Sequence, residues 1–270
     1  MRRLAVVVIG CVLLAVPAAA ADQALTLDGA GSLRGAMLRL AEAFHKSGGA
    51  EVTASFGPSG TMREKIEAGD EVDIFTSADT GHPQRLNQEG LGGPLMIFAR
   101  NRLCAIAGPK AGLMADNVLD RALDPAVRLG TSTPKSDPSG DYTWAMFRKA
   151  EAIRPGAFAA LDNKALQLVG APDSARKLGL PEDANAAAWL IEHDKADMVL
   201  GYCTSGKTAQ AERPDLVVVP LPKDLAVGAA YGLTVLKDAP PEAYRLALFI
   251  LSPAGQAILA ESGFDTPTAP

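Results

Sequence analysis

The sequence predicts an α/β fold built on largely parallel sheets, and three observations carry that prediction. Short apolar segments alternate with stretches whose apolar residues recur at three- and four-residue spacing. No segment after the N-terminus is continuously apolar over about 18 residues, so none is long enough for a spanning helix. There is also no internal repeat, low-complexity tract or long charged linker, and about 250 residues can form one domain or two medium lobes.

Taken in order, Leu25-Thr26-Leu27 reads as a strand and Leu33 to Lys46 as a helix. In that helix Leu33, Met37, Leu40 and Phe44 share one face. Val52 to Phe56 reads as a strand, Met62 to Glu67 as a short helix stopped by Gly69, and Val72 to Phe75 as the next strand. Gln84 to Gln88 is helical. Leu95 to Ala107 holds two strand-like pieces on either side of Arg100-Asn101-Arg102. A strand at 126–130 and helices at 141–152, 174–178 and 184–194 follow. Strands at 198–202, 216–220 and 231–236 precede two closing helices, Glu242 to Leu251 and Ala254 to Glu261.

Residues 1–21 read as a secretory signal: Arg2 and Arg3, the apolar run Leu4 to Val16, then Pro17-Ala18-Ala19-Ala20 with cleavage near Ala20 or Ala21. Val8-Ile9-Gly10-Cys11 has the look of a lipoprotein box, but it sits too early in the apolar run. The expected location is the periplasm. Net charge is −5, and cleavage removes two positive charges more. An acidic exported chain is a poor partner for nucleic acid or an anionic membrane. Outside the signal the cysteines are Cys104 and Cys203; an oxidising compartment permits a bridge, and two separate thiols are the alternative.

In sheets of this kind ligands sit beyond the carboxyl ends of strands, where loops meet helix N-termini. Ser32 in "LDGAGSLRGAM" and Ser59 in "SFGPSGTM" both lie at such corners, and Ala78 lies just past a strand. Each serine also reads simply as a helix cap. Together, with glycines around them, they suit an anion held by hydroxyls and free amides. Ala184, after Pro181-Glu182-Asp183, opens a further helix and offers further amides.

Two reactive readings compete. "GYCTSGKT", residues 201–208, fits the phosphate-loop pattern, but Tyr202 is bulky for a tight wrap and Arg213-Pro214 leaves room for only one or two helical turns. A Ser59 hydrolase needs a base. His45 and His193 read as solvated, and His82, before Pro83, as a loop residue. No His, Cys and carboxylate cluster has ligand spacing. Trp144 and Trp189 read as core.

At this point a resemblance enters. "GAGSLRGAM", "SFGPSGTMREKIEAGDEVDIFTSAD" and "EDANAAAWLIEHDKADMVLGY" resemble three signature segments of the periplasmic molybdate-binding proteins of bacterial ABC importers, and the ending "SPAGQAILAESGF" extends the likeness. The resemblance implies a two-lobed type II periplasmic binding protein. Lobe one would hold 22–102 and 232–270, and lobe two 103–231, with crossings near 101–104 and 231–236. It implies a monomer that closes on molybdate or tungstate, passes it to a membrane permease and performs no catalysis. Molybdenum would enter only as the bound oxyanion, with no cofactor. By the same resemblance, Ser32 and Ser59 donate through hydroxyls, Ala78 and Ala184 through backbone N–H, and Tyr202 through its phenol. Neutral donors satisfy a deprotonated dianion and reject an anion that brings its own O–H.

Departures keep alternatives open. Gly57-Pro58-Ser59-Gly60 is stiffer and poorer in hydroxyls than the loop of many relatives. Asp137-Pro138-Ser139-Gly140 is similar to a segment of archaeal molybdate/tungstate binders in which a carboxylate reaches the metal centre. Asp137 approaches the ligand, repels it, binds a cation with it, or caps the helix from Asp141. Another small anion, sulfate or a carboxylate, is the alternative ligand.

Overall fold

The computed structural model describes residues 24–181 and 184–267. The signal and lipoprotein readings lie outside the described residues. The chain begins with β1 (Leu25–Ala30), α1 (Arg34–Lys46), β2 (Val52–Gly57), α2 (Ser59–Glu67), β3 (Ile74–Ser77) and α3 (Gly81–Gln88). The long β4 (Met96–Ala107) follows, then α4 (Val118–Leu123), β5 (Leu129–Ser132), α5 (Pro138–Ile153), α6 (Ala157–Lys164) and β6 (Leu166–Val169). The chain continues through α7 (Ser174–Leu178), α8 (Ala186–Glu192), β7 (Met198–Tyr202), α9 (Cys203–Glu212), β8 (Val217–Pro220) and β9 (Gly228–Val235). It ends with α10 (Pro241–Leu251) and α11 (Pro253–Glu261). Among the described residues no single helix is long and apolar enough to cross a membrane.

The strand order is β2-β1-β3-β9-β4-β7-β5-β6, with β8 also on β4. Pairing is parallel within β2-β1-β3 and β7-β5-β6, the character expected of alternating strands and helices. The four antiparallel pairings all involve β4 or β9. β4 belongs to both halves. Residues 96–102 pair with β9, while Leu103 to Ala107 pair with β7. β9 pairs from Gly228 onward with β3 and the first part of β4, so the chain returns to the first half across 221–227.

The expected break at Arg100-Asn101-Arg102 is absent, and β4 is continuous. Its alternation explains why: Arg100 and Arg102 point outward, whereas Asn101 is buried and finds partners inside. Inward-facing Phe98, Leu103, Ala105 and Ala107 join α1's apolar stripe, Met37, Leu40 and Phe44, in the main core. Trp144 and Trp189 are partly buried against their clusters. α4, α6 and β6 were not legible, because each is short and its apolar spacing is incomplete.

Cys104 and Cys203 form a disulfide, with Cα atoms 4.9 Å apart. Cys104 lies opposite Gly201 in the antiparallel β4–β7 ladder, and α9, which starts at Cys203, turns back onto β4 and so brings the second cysteine over the first. Closing a loop of 99 residues restrains the unfolded chain by roughly 4–5 kcal/mol in the chain-entropy account. The bond fixes the start of α9 to the strand shared by both halves.

Candidate ligand-binding site

The two halves meet where the N-terminus of α2 faces the segment before α5. Gly60 N–H donates to the Ser136 carbonyl at 3.0 Å. A Cβ on Gly60 would lie 2.6 Å from the Lys135 carbonyl oxygen, so the approach requires glycine. Ser59 is not in a loop as expected but opens α2, with Pro58 in the N-cap position and no side-chain cap. Its buried Oγ accepts from Ala78 N–H at 3.2 Å. Ala78 follows β3, and its carbonyl accepts from the Tyr202 hydroxyl at 3.5 Å. A short path of hydrogen bonds thus runs from Ser59 through Ala78 to Tyr202, from one half to the other.

Ser32 reaches the same region by another route. It lies in a 3-10 turn at Gly31–Leu33 and does not cap α1, whose N-cap is Leu33. Its Oγ is 3.0 Å from the Tyr231 hydroxyl. Tyr231 is fully buried in β9, and its ring meets the Tyr202 ring at 5.5 Å between centroids. Tyr142 meets Tyr202 edge-on from the other side. Burial pushes the Tyr202 phenol well above its ordinary range and the Tyr142 phenol up to about 12. Both phenols therefore stay protonated and can donate.

Ala184 stands apart. The predicted helix start at Ala184 is corrected: α8 begins at Ala186, and Asn185 caps it by accepting from Ala187 and Ala188 N–H. Ala184 lies in the preceding bend with its own N–H on the Pro181 carbonyl at 3.3 Å. Among the described residues no hydrogen bond joins it to the other four. An asparagine at position 185, a strong N-cap type, was the available signal.

Asp137 is the N-cap of α5, which begins at Pro138, three residues earlier than expected. Its Oδ1 accepts from Ser139 N–H at 3.0 Å, and the Ser132 hydroxyl donates to its other oxygen. Gly170, at φ +89°, has no Cβ to strike the Ser132 hydroxyl and Asp137. Burial raises the Asp137 carboxyl above its usual range against the pull of those two hydrogen bonds. The residue adjoins Ser136, whose carbonyl takes the Gly60 amide of α2, and its charge helps to raise the buried Tyr202 and Tyr231 phenols.

His82 is corrected from loop to helix: it is the second residue of α3, with its side chain 14 % exposed. Burial lowers its pKa more than nearby Asp79 raises it, so it is neutral near pH 7. The phosphate-loop reading fails on geometry. Gly201 and Tyr202 end β7 and Cys203 starts α9 at once, which leaves no loop to wrap a phosphate. α9 also runs for 10 residues, longer than predicted. Residues not foreseen in the site are Tyr231 and Asn101, a phenol and an amide inside otherwise apolar strands. That polarity at inward positions was their signal.

Comparison with known proteins agrees with this architecture. The family model of bacterial extracellular solute-binding proteins matches residues 25–265. The uncharacterized protein PM1146 of Pasteurella multocida (strain Pm70) is 36% identical over 237 residues, which cover 87% of this chain and 95% of the relative. Molybdate-binding protein ModA of Escherichia coli (strain K12) is 27% identical over 79% of this chain and 77% of its own. Among solved structures, the periplasmic molybdate-binding protein of Azotobacter vinelandii superposes with TM-score 0.72 at 20% identity, covering 90% of this chain and all of that one. The sulfate-binding protein SubI of Mycobacterium tuberculosis H37Rv gives TM-score 0.70 at 15% identity, covering 91% and 87%. With a family model spanning nearly all its described residues and this two-halved α/β fold, the chain belongs to the bacterial extracellular solute-binding proteins.

Proposed function

We propose that the protein is an exported receptor that captures molybdate or tungstate for an ABC importer. The observation that carries this reading is the hydrogen-bonded cluster Ser59, Ala78 and Tyr202, with Ser32 reached through Tyr231. It consists of neutral donors, and among the described residues no lysine or arginine hydrogen-bonds to them. Such donors hold a dianion without an opposing charge, which keeps release easy when the halves separate. The Ser59 hydroxyl has the Ala78 amide as its partner, and among the described residues no histidine hydrogen-bonds to it, which suits binding better than hydrolysis. Ala184 and Asp137 enter the ligand shell only if they exchange their present partners for the anion.

In this reading lobe one comprises 22–102 and, with the boundary expected at 232 moved to the start of β9, the chain from Gly228 onward, and lobe two the chain between. The crossings are β4 and residues 221–227. The protein acts as a periplasmic monomer after cleavage near Ala20 or Ala21 and delivers its ligand to a membrane permease.

A second reading keeps the receptor and changes the anion. The buried Asp137 carboxylate beside the cluster disfavours a bare dianion and suits a ligand with a hydrogen to share, such as a carboxylic acid. Sulfate, bound by a protein of similar fold, is the other candidate.

Calorimetric titration of the mature protein with molybdate, tungstate and sulfate tests the choice. One-to-one binding of the first two, with sulfate ignored, is expected. Tyr202→Phe should then weaken molybdate by about 1–3 kcal/mol, the range for losing a charge-assisted donor. Silence toward both metal oxyanions would overturn the molybdate reading.

A further inference from the structure

Asn101 has a fixed orientation. Its Oδ1 accepts the Arg102 N–H at 2.9 Å, so Nδ2 faces the interior, donating to Thr204 Oγ1 at 2.8 Å and to the Tyr231 hydroxyl oxygen at 3.2 Å. Both hydrogens of that amide are therefore committed. The Tyr231 oxygen accepts from Asn101, and its own proton needs an acceptor because the residue is 0% exposed. The Ser32 Oγ, 3.0 Å away, meets that need. The reverse arrangement, with Ser32 donating to Tyr231, would put two donors on one phenol oxygen and turn its proton to the neighbouring Tyr202 hydroxyl, which already donates to the Ala78 carbonyl, whereas the Ser32 Oγ at 3.0 Å is a well-placed acceptor. Burial also pushes the Tyr231 phenol up, so the proton stays on the ring oxygen.

We infer that Asn101 and Tyr231 are positioning residues that fix the Ser32 hydroxyl as a donor, through a one-way series of hydrogen bonds from the Arg102 amide to Asn101, Tyr231 and Ser32. With a lone pair of Ser32 taken by Tyr231, the remaining Ser32 proton points away from the phenol. A deprotonated oxyanion can accept it, and an anion presenting its own O–H meets donor against donor. Tyr231 thus contributes to selectivity without touching the ligand. The inference rests on the proposal that Ser32 lies in the ligand shell, but the direction of the hydrogen bonds is independent of it.

The test is a double-mutant cycle read by calorimetry with molybdate and with inorganic phosphate at pH 6, where phosphate is mainly singly protonated beyond its dianion. Tyr231→Phe keeps the ring among Phe98, Tyr202 and Phe264 and removes only the hydroxyl. It should weaken molybdate about tenfold and reduce the preference for molybdate over phosphate. In a Ser32→Ala background the same change should alter affinity by less than about twofold, because Tyr231 acts through Ser32. Equal losses in both backgrounds would show a merely structural role and overturn the inference. Neutron diffraction from the ligand-free, perdeuterated protein supplies a reading free of any ligand. A deuteron on Tyr231 Oη directed at Ser32 supports the inference, and a Ser32 deuteron directed at Tyr231 overturns it. If the wild type binds neither probe, the molybdate reading fails, and the neutron result alone decides the direction.

Discussion

Helix α2 begins behind Pro58, which offers its first turn no accepting side chain, whereas α5 begins behind Asp137, whose carboxylate takes the Ser139 amide. The two helix ends face one another where the halves meet, joined by Gly60 N–H on the Ser136 carbonyl. Both carry the positive end of a helix dipole. At α5 that end is already neutralised by a resident negative group. At α2 it is met only by a neutral carbonyl and by the Ser59 hydroxyl nearby. Under the proposed function, an incoming anion would meet its stronger field at α2, with α5 as the wall across from it.

The strongest test of this asymmetry moves the carboxylate to the other helix. Pro58 has φ −60° and ψ 129°, a backbone suited to an N-cap. Pro58→Asp should place a carboxylate over the α2 amides, and oxyanion binding should fall by about 2–4 kcal/mol, measured by calorimetry. Unchanged affinity would mean that α2 is not the anion end. Next in size, Ser59→Ala removes the hydroxyl beside that terminus and should weaken binding by about 1–3 kcal/mol. Asp137→Asn works in the opposite sense. It preserves an N-cap acceptor for Ser139 and removes the charge, so a dianion should bind at least about tenfold more tightly, since even unit charges about 10 Å apart repel by ~1.7 kcal/mol at an effective dielectric near 20.

The smallest effect is on stability. Burial holds the Asp137 carboxyl above its ordinary 3.8, so the folded state favours the protonated form. That contribution is fully present below the ordinary value and is lost as pH rises through the raised one. The Asn variant does not titrate. Its stability relative to wild type should therefore be greatest near neutral pH and should decline toward pH 4, as read from urea midpoints across that range. A gap independent of pH would mean that the fold leaves the Asp137 pKa at its ordinary value.

The donor side of this contrast was legible in the sequence, because glycine, serine and a strand end beside a helix leave a local pattern. Ser59 and Ala78 sit within hydrogen-bonding reach across 19 residues of chain, as a strand–helix–strand unit dictates. The α/β alternation was equally legible from local periodicity. What escaped depends on distant partners. Asn101 looked like a polar interruption because Tyr231 and Thr204, which satisfy it, lie 130 and 103 residues away. The Cys104–Cys203 bond depended on the β4–β7 register, which no local pattern sets. The helix start expected at Ala184 was displaced for a smaller reason: Asn185, one residue on, is the better cap, and it moved the start to Ala186.

β4 is one unbroken strand shared by both halves, with the disulfide just beyond its midpoint. A joint made of a strand cannot swing freely as a loop would, because its ladder bonds on either side must survive the motion. If the halves separate as the proposed function requires, the β4 crossing would take up its share of that motion as added twist near Asn101. Such twist would turn Asn101 relative to Tyr231 and ease the grip on Ser32. The receptor would then relax its hold on an anion by the same rotation that opens the door for it.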